Sequence, residues 1–225
     1  MPELRLENVC YQYKHGDRKV VADVTCLFEG GQLNAVVGPS GSGKTTLLSL
    51  MAGLDQPTQG SIYIDSESLA DLDLDQYRRE RVSMIFQAFQ LFPLLTALEN
   101  VCFPMRINGI PNEETLERGK RLLTSVGITE DKHKRYPANL SGGEQQRVAI
   151  ARSLATGAQV LLADEPTGNL DQANGDKLLE ILGGLAHEQG YCVIIVSHDP
   201  SIAERSDKVW HMSDGVLTER QPLHY

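Results

Sequence analysis

The chain is poor in basic residues, in aromatic residues and in long apolar runs, and each shortage excludes something. Among its 225 residues, 30 Asp and Glu outweigh 21 Lys and Arg, for a formal net charge of −9. A broad nucleic-acid surface needs a basic face and anionic lipid attracts basic clusters, so no nucleic-acid partner and no direct lipid contact are expected. The longest unbroken apolar run goes only from Tyr191 to Val196, whereas a membrane-spanning helix needs about twenty residues. The start, Met1-Pro2-Glu3-Leu4-Arg5, lacks the apolar core of a signal peptide, and no leader is expected. Cys10, Cys26, Cys102 and Cys192 lie far apart and form no CxxC pair, so free thiols in a reducing cytosol are expected. With 41% hydrophobic and 23% charged residues, the composition is that of an ordinary globular domain rather than a disordered or fibrous chain.

What is present is an alternation of short apolar runs with helical patterns, which predicts a mainly parallel α/β sheet. Leu33 to Val37 precedes a glycine-rich turn, and Lys44 to Leu54 then reads as a helix. Val82 to Phe86, Val160 to Ala163 and Cys192 to Val196 are further strand candidates. Leu178, Ile181, Leu182 and Leu185 recur at i, i+3, i+4 and i+7, one apolar face of a helix. Lys208 to Met212, the turn Asp214-Gly215 and Val216 to Thr218 spell a hairpin. Leu4 to Tyr13, Val20 to Phe28 and Ser61 to Ile64 predict a smaller antiparallel sheet. From 88 to 158 strand-like runs give way to helical patterns such as Glu113 to Val126. That stretch is expected to be a helical subdomain inserted into a single domain, 1–225, between sheet-core segments 1–87 and 159–225. Gln32 and Asn34 are polar for a strand entering a buried turn, which puts the burial of its start in question. Four of the runs end at Gly38, Gln87, Asp164-Glu165 and Ser197-His198. As neighbouring parallel strands they would bring those ends into one crevice.

Gly38-Pro39-Ser40-Gly41-Ser42-Gly43-Lys44-Thr45 fits G-x-x-x-x-G-K-[ST], with a strand before it and a helix after it as such a loop requires. The glycines let successive N–H groups face one anion, and the following helix adds the positive end of its dipole. Lys44 would reach the β- and γ-phosphates of ATP and the Thr45 hydroxyl would ligate Mg²⁺, with Thr46 counted to the same site. Asp164 ends an apolar strand and would hold Mg²⁺ through water. Glu165 follows, placed to polarise the attacking water as general base. Two acids after an apolar strand are equally well capping or surface carboxylates by themselves. Downstream of this loop they point to ATP hydrolysis.

Leu140-Ser141-Gly142-Gly143-Glu144-Gln145-Gln146-Arg147 resembles the LSGGQ element of ABC ATPases, with Glu144 where that element has Gln. A small turn here opens a helix whose N-terminus can meet an anion, and Ser141 with Glu144 also spells a capping box. Beside a glycine-rich loop, a second anion-binding helix start is surplus in one chain. It makes sense if it closes on ATP held by another copy. The resemblance covers residues 4–219 and implies the P-loop NTPase fold of ABC type: a mainly parallel sheet core, an antiparallel β subdomain and an inserted helical subdomain. It implies that Gln87 senses Mg²⁺ and water, that Gly168-Asn169-Leu170-Asp171 lies at a dimer interface with Asp171 toward the nucleotide, and that His198 contacts the γ-phosphate. Tyr13 is implied to stack on adenine, with Tyr11 a weaker candidate. The implied partners are a second copy, joined through an ATP sandwich, and integral membrane permease subunits that hold the chain at the cytoplasmic face of the cell membrane.

Phe86 to Pro93 and Glu165 to Asp171 are most similar to the lipoprotein-release and macrolide-export branch. That similarity implies export or release of a lipid, lipoprotein, peptide or drug. An engine for signalling or cell-wall regulation and a soluble non-transport ATPase remain alternatives. Phe89 to Met105 is unusually apolar for a segment beside a loop (Phe89, Leu91, Phe92, Leu94, Leu95, Leu98, Val101, Phe103, Met105). It fits either core packing or a groove that receives a short helix of the membrane partner.

Overall fold

The computed structural model describes residues 1–14 and 16–220. Its first half runs β1 (Glu3–Tyr11), β2 (Val21–Glu29), β3 (Leu33–Val37), α1 (Lys44–Met51), β4 (Gln59–Ile64), β5 (Glu67–Ser68), α2 (Leu74–Glu80) and β6 (Val82–Ile85). The helices α3 (Ala97–Ile107), α4 (Asn112–Ser125) and α5 (Gly142–Ala155) follow without an intervening strand. The chain then forms β7 (Val160–Asp164), α6 (Gln172–Gln189), β8 (Cys192–Ser197), α7 (Pro200–Glu204), β9 (Lys208–Ser213) and β10 (Val216–Arg220).

Two sheets carry the fold. A six-stranded sheet has the order β10-β9-β3-β8-β7-β6, and a four-stranded one the order β2-β1-β4-β5. In the larger sheet β9, β3, β8, β7 and β6 are parallel neighbours, and β10 closes it antiparallel through the hairpin. The hairpin turn works because Asp214 and Gly215 both take positive φ, 47° and 82°, the geometry that matches strand twist in a two-residue loop. β8 is buried at every position, as expected of a strand covered on both faces. Period-two alternation sorts its side chains. Val193 and Ile195 join Leu161 and Ala163 against α3, α5 and α6, while Cys192, Ile194 and Val196 join Val36 and Leu162 against α1 and the smaller sheet. α6 buries Leu178, Leu182 and Leu185 and leaves Ile181 at the margin. Truncating one of the three to Ala costs about 2–5 kcal/mol in such a core.

The structure departs from the expected elements at several points. The helix after the glycine-rich turn stops at Met51 rather than Leu54, because Gly53 turns left-handed (φ 65°) and breaks the repeat. β1 ends at Tyr11, which leaves Tyr13 in the following loop. α2 had no apolar periodicity to announce it; its one fully buried side chain is Tyr77, and Asp73 caps it by accepting from the N–H groups of Asp75 and Gln76. The polar start of β3 is nonetheless buried: Asn34 is 0% exposed and its amide donates to the Gln32 and Val193 carbonyls at 3.3 Å each. Spanning to the neighbouring β8 offsets part of the cost of its buried Oδ1, which has no partner among the described residues.

Candidate nucleotide site

The sheet order puts the carboxyl ends of β3, β8, β7 and β6 side by side. Gly38, His198, Glu165 and Gln87 follow those ends, at the crevice where open parallel sheets place ligands. Gly38 sits where backbone must pass backbone: a Cβ there would collide with the Met212 carbonyl oxygen. Gly43 takes φ 106°, a conformation that side chains rarely tolerate, and caps α1 without a side-chain bond. The α1 N–H groups therefore stay open to an anion. Pro39, Ser40 and Gly41 form the exposed outer turn, while the buried Ser42 hydroxyl has no partner among the described residues. That orphan and the open amides fit a phosphate chain.

Lys44 is buried to 7% exposure, and its Nζ donates to the Gly38 and Pro39 carbonyls at 2.8 and 3.0 Å. Burial lowers its pKa, against the opposing pull of the Glu165 and Asp164 carboxylates. A desolvated ammonium held mainly by neutral carbonyls is poised for an anion. The Thr45 hydroxyl stands 3.5 Å from Asp164 Oδ1. Burial first, and the Glu165 charge second, raise the Asp164 pKa, a conflict that a cation would relieve. Among the described residues no group of three or more His, Cys, Asp or Glu makes a protein-only cage. One carboxylate and one hydroxyl suit Mg²⁺, which keeps several waters and shares phosphate oxygens.

Glu165 carries a positive φ of 46°. Its Oε1 accepts from the His198 N–H at 3.0 Å and lies 2.8 Å from His198 Nδ1, while Oε2 accepts from the Ser197 hydroxyl at 2.8 Å. Ser197, which the sequence marks only as the end of an apolar run, thus orients the acid together with His198. An open cleft of about 580 Å³ runs from Glu165 and His198 past Gly168 to Asp171. Tyr13 is 50% exposed beside α1, with its hydroxyl 3.0 Å from Thr46 Oγ1 and its ring edge-on to Tyr11 at 5.0 Å. The Tyr11 hydroxyl donates to Asp55 at 3.4 Å, and Tyr13 is the more exposed of the two rings.

The remaining candidates form a second group. Gln87 is exposed and lies against Gly168, and its carbonyl accepts from the Asn169 side chain at 2.9 Å. Among the described residues, no hydrogen bond joins the Gln87 side chain to Thr45 or Asp164. Asp171 caps α6 by accepting from Asn174, whose side chain packs on Gly143. Ser141 caps α5 in a complete capping box with Glu144. No hydrogen bond joins Ser141, Gly142 or Gly143 to the Gly38–Thr46 loop among the described residues.

Two further residues tie the groups together and escaped sequence reasoning. Gln146, 0% exposed on α5, donates to the Pro166 carbonyl at 3.1 Å and the Phe86 carbonyl at 3.4 Å. One amide thereby holds the backbone next to Glu165 and next to Gln87. Arg152, a turn and a half further along α5, donates to Gln90 and Phe89 carbonyls at 2.7 and 3.3 Å. The available signal was a polar residue at i, i+4 and i+7 spacing with the buried Ile150 and Ser153 on the core face of a helix. Gln146→Leu should lower stability by about 1–3 kcal/mol, because it leaves the Pro166 and Phe86 carbonyls, the first of them buried, without this donor. A urea unfolding midpoint unchanged from wild type would show those bonds to be idle.

The profile of the family described as ABC transporter matches residues 21–168. The macrolide export ATP-binding/permease protein MacB of Bradyrhizobium diazoefficiens is 45% identical over 221 residues, which is 96% of this chain but 34% of that protein. The uncharacterized ABC transporter ATP-binding protein MJ0796 of Methanocaldococcus jannaschii is 39% identical over 228 residues, 98% of this chain and 97% of its own length. A solved dimer of MJ0796 in a post-hydrolysis state, bound to ADP and Pi, superposes with a TM-score of 0.87 at 37% identity, covering 99% of this chain and 100% of that one. The chain thus spans about a third of its permease-fused relative and nearly all of its stand-alone one.

Proposed function

The chain belongs to the ABC transporter family as an ATP-binding cassette and ATPase, and from that premise we propose that two copies close on two ATP molecules to drive membrane-embedded permease subunits. The observation that carries the reading is the separation of the two anion-binding helix starts. Among the described residues, the α1 loop and the Ser141 turn of one chain share no hydrogen bond, and a second copy would supply the missing half of each site. The MJ0796 structures are dimers, which supports this arrangement.

In this reading the α1 amides and Lys44 hold the phosphates, and Tyr13 offers its exposed ring to adenine. Thr45, Asp164 and Gln87 would hold Mg²⁺, which would supply charge neutralisation at the phosphates. Glu165 takes the proton of the attacking water while Ser197 and His198 fix its carboxylate, and His198 then faces the γ-phosphate. Ser141, Gly142, Gly143 and Asp171 act on the nucleotide of the other copy.

No helix of the described residues is long and apolar enough to cross a membrane. In this reading the permease holds the chain at the cytoplasmic face of a membrane. The apolar stretch after Gln87 divides into two faces. Val101 and Met105 are core, whereas Phe92, Leu94, Phe103 and Ile107 are 41%, 87%, 36% and 60% exposed. Phe92 and Phe103 meet at 4.5 Å between ring centroids, and the Arg152 guanidinium lies 5.8 Å from the Phe92 ring. A contiguous exposed apolar patch marks an interaction site, and an amphipathic helix of the permease fits it. Through Arg152 and Gln146 that patch is continuous with the backbone beside Gln87 and Glu165. The macrolide export in the name of MacB supports export or release of a lipid, lipoprotein, peptide or drug. Leu94→Asp should change stability by no more than about 0.5 kcal/mol and leave ATP turnover of the isolated chain intact. The same variant should lose co-purification with the permease subunit. A variant that keeps the permease would move the docking site elsewhere.

A further inference from the structure

Glu144 departs from the Gln of the element that this turn resembles, and the departure adds a negative charge where a phosphate is to be received. Its Oε2 accepts from the Ser141 N–H at 2.8 Å, and its Oε1 lies 2.7 Å from Lys132 Nζ. The pair is partly shielded, with side chains 29% and 15% exposed for Lys132 and Glu144. The Lys132 bond first, and the Ser141 N–H second, hold the Glu144 carboxyl below the ordinary range, so the group is an anion. Asp131, next to Lys132 in the chain, pairs with Arg135 at 2.9 Å. Lys132 is also rigidly placed. It ends a short 3₁₀ turn, Glu130–Lys132, and the His133 and Arg135 carbonyls just beyond accept from Leu98 and Ala97 N–H at the start of α3.

A carboxylate in the first turn of a helix complements the dipole, and for the same reason it competes with an incoming phosphate. We propose that Lys132 is a positioning residue of the Ser141–Gly143 turn: its ammonium neutralises Glu144 and keeps it in the capping box, so the helix start stays receptive to the γ-phosphate of ATP on the second copy. The proposal rests on the two-copy reading above. A change in stability would not distinguish the capping role from this one, so the test reads association instead.

The test uses Glu165→Gln chain as parent and measures, by sedimentation velocity, the ATP concentration for half-maximal dimerisation. Lys132→Met should need roughly tenfold more ATP, as one uncompensated charge beside a phosphate commands near a surface. The gap should shrink as salt rises. Lys132→Arg, Glu144→Gln and the double variant Lys132→Met/Glu144→Gln should all stay within about twofold of the parent, because neutralising either way removes the conflict. Fluorescent-nucleotide binding to the monomer should be equal in all of them, which separates association from misfolding. Parent-like dimerisation by Lys132→Met overturns the proposal. A double variant as poor as Lys132→Met also overturns it, since Lys132 would then touch the nucleotide itself. A parent that stays monomeric with ATP removes the two-copy reading, a failure visible before any Lys132 variant is made.

Discussion

Glu165→Gln should keep its affinity for ATP while turnover falls roughly 10²–10⁴-fold, the loss associated with removal of a general base. The substitution is close to isosteric, and its surroundings accept it. A Gln Oε1 still receives the His198 N–H, as Glu165 Oε1 does at 3.0 Å, and the Ser197 hydroxyl can accept from the new amide in place of donating at 2.8 Å. The backbone has reason to stay put, because the Glu165 N–H donates to Val196 at 2.9 Å and its carbonyl accepts from Gly168 at 3.0 Å. A left-handed φ of 46° at a non-glycine residue costs on the order of 1–3 kcal/mol, and such strain gathers where a side chain must be aimed. What the variant loses is the carboxylate's charge and, with it, its affinity for a proton. Slow hydrolysis should then accumulate the ATP-bound dimer, resolved by size-exclusion chromatography as a nucleotide-dependent shift. Near-wild-type phosphate release would take Glu165 out of the role and leave His198 as the group to examine.

Much of this candidate site is legible in the sequence because its chemistry is local along the chain. The glycine-rich loop, the acid pair after β7 and the histidine after β8 each follow an apolar run, and parallel pairing of those runs is enough to bring them together. β7 and β8 were plain because strands buried on both faces read as continuous apolar stretches. α2 was not plain, since its one deeply buried residue, Tyr77, gives no period. Contacts made across long separations left less trace. Gln146 reaches Phe86 and Pro166 from another element, and the only hint is its polarity on a core-facing stripe. The Lys132–Glu144 pair joins a loop to a helix start, where charge alone does not specify a partner. Asn34 shows the opposite case: a polar residue that argued for exposure is buried because β8 offers it a carbonyl. The two faces of the Phe89–Met105 stretch could not be separated by composition, since core and docking surface draw on the same residue types and only exposure divides them.

Lys44→Ala should weaken or abolish ATP binding and reduce turnover by at least about 10²–10³-fold, the scale for losing one preorganised electrostatic contact to a developing charge. The expectation follows from the charge balance of the crevice. Asp164 and Glu165 bring two carboxylates, and the pKa of Asp164 is already raised by burial and by its neighbour. Lys44 is the cation that offsets both, and their pull on its own pKa is the reciprocal sign of the same interaction. Without it, phosphate oxygens would enter beside two acids with only the loop amides and the α1 dipole to hold them. The fold should survive. The substitution removes a charge at 7% exposure together with its bonds to the Gly38 and Pro39 carbonyls, and Ala is a good residue for the first turn of α1. Urea unfolding without nucleotide should therefore show a midpoint close to that of the wild type, while the stabilisation that ATP adds to the wild type should vanish. Calorimetry with ATP and Mg²⁺ reads the binding, and phosphate release reads the turnover. If the variant binds and hydrolyses ATP as the wild type does, the loop after β3 is a structural turn and the nucleotide sits elsewhere on the sheet.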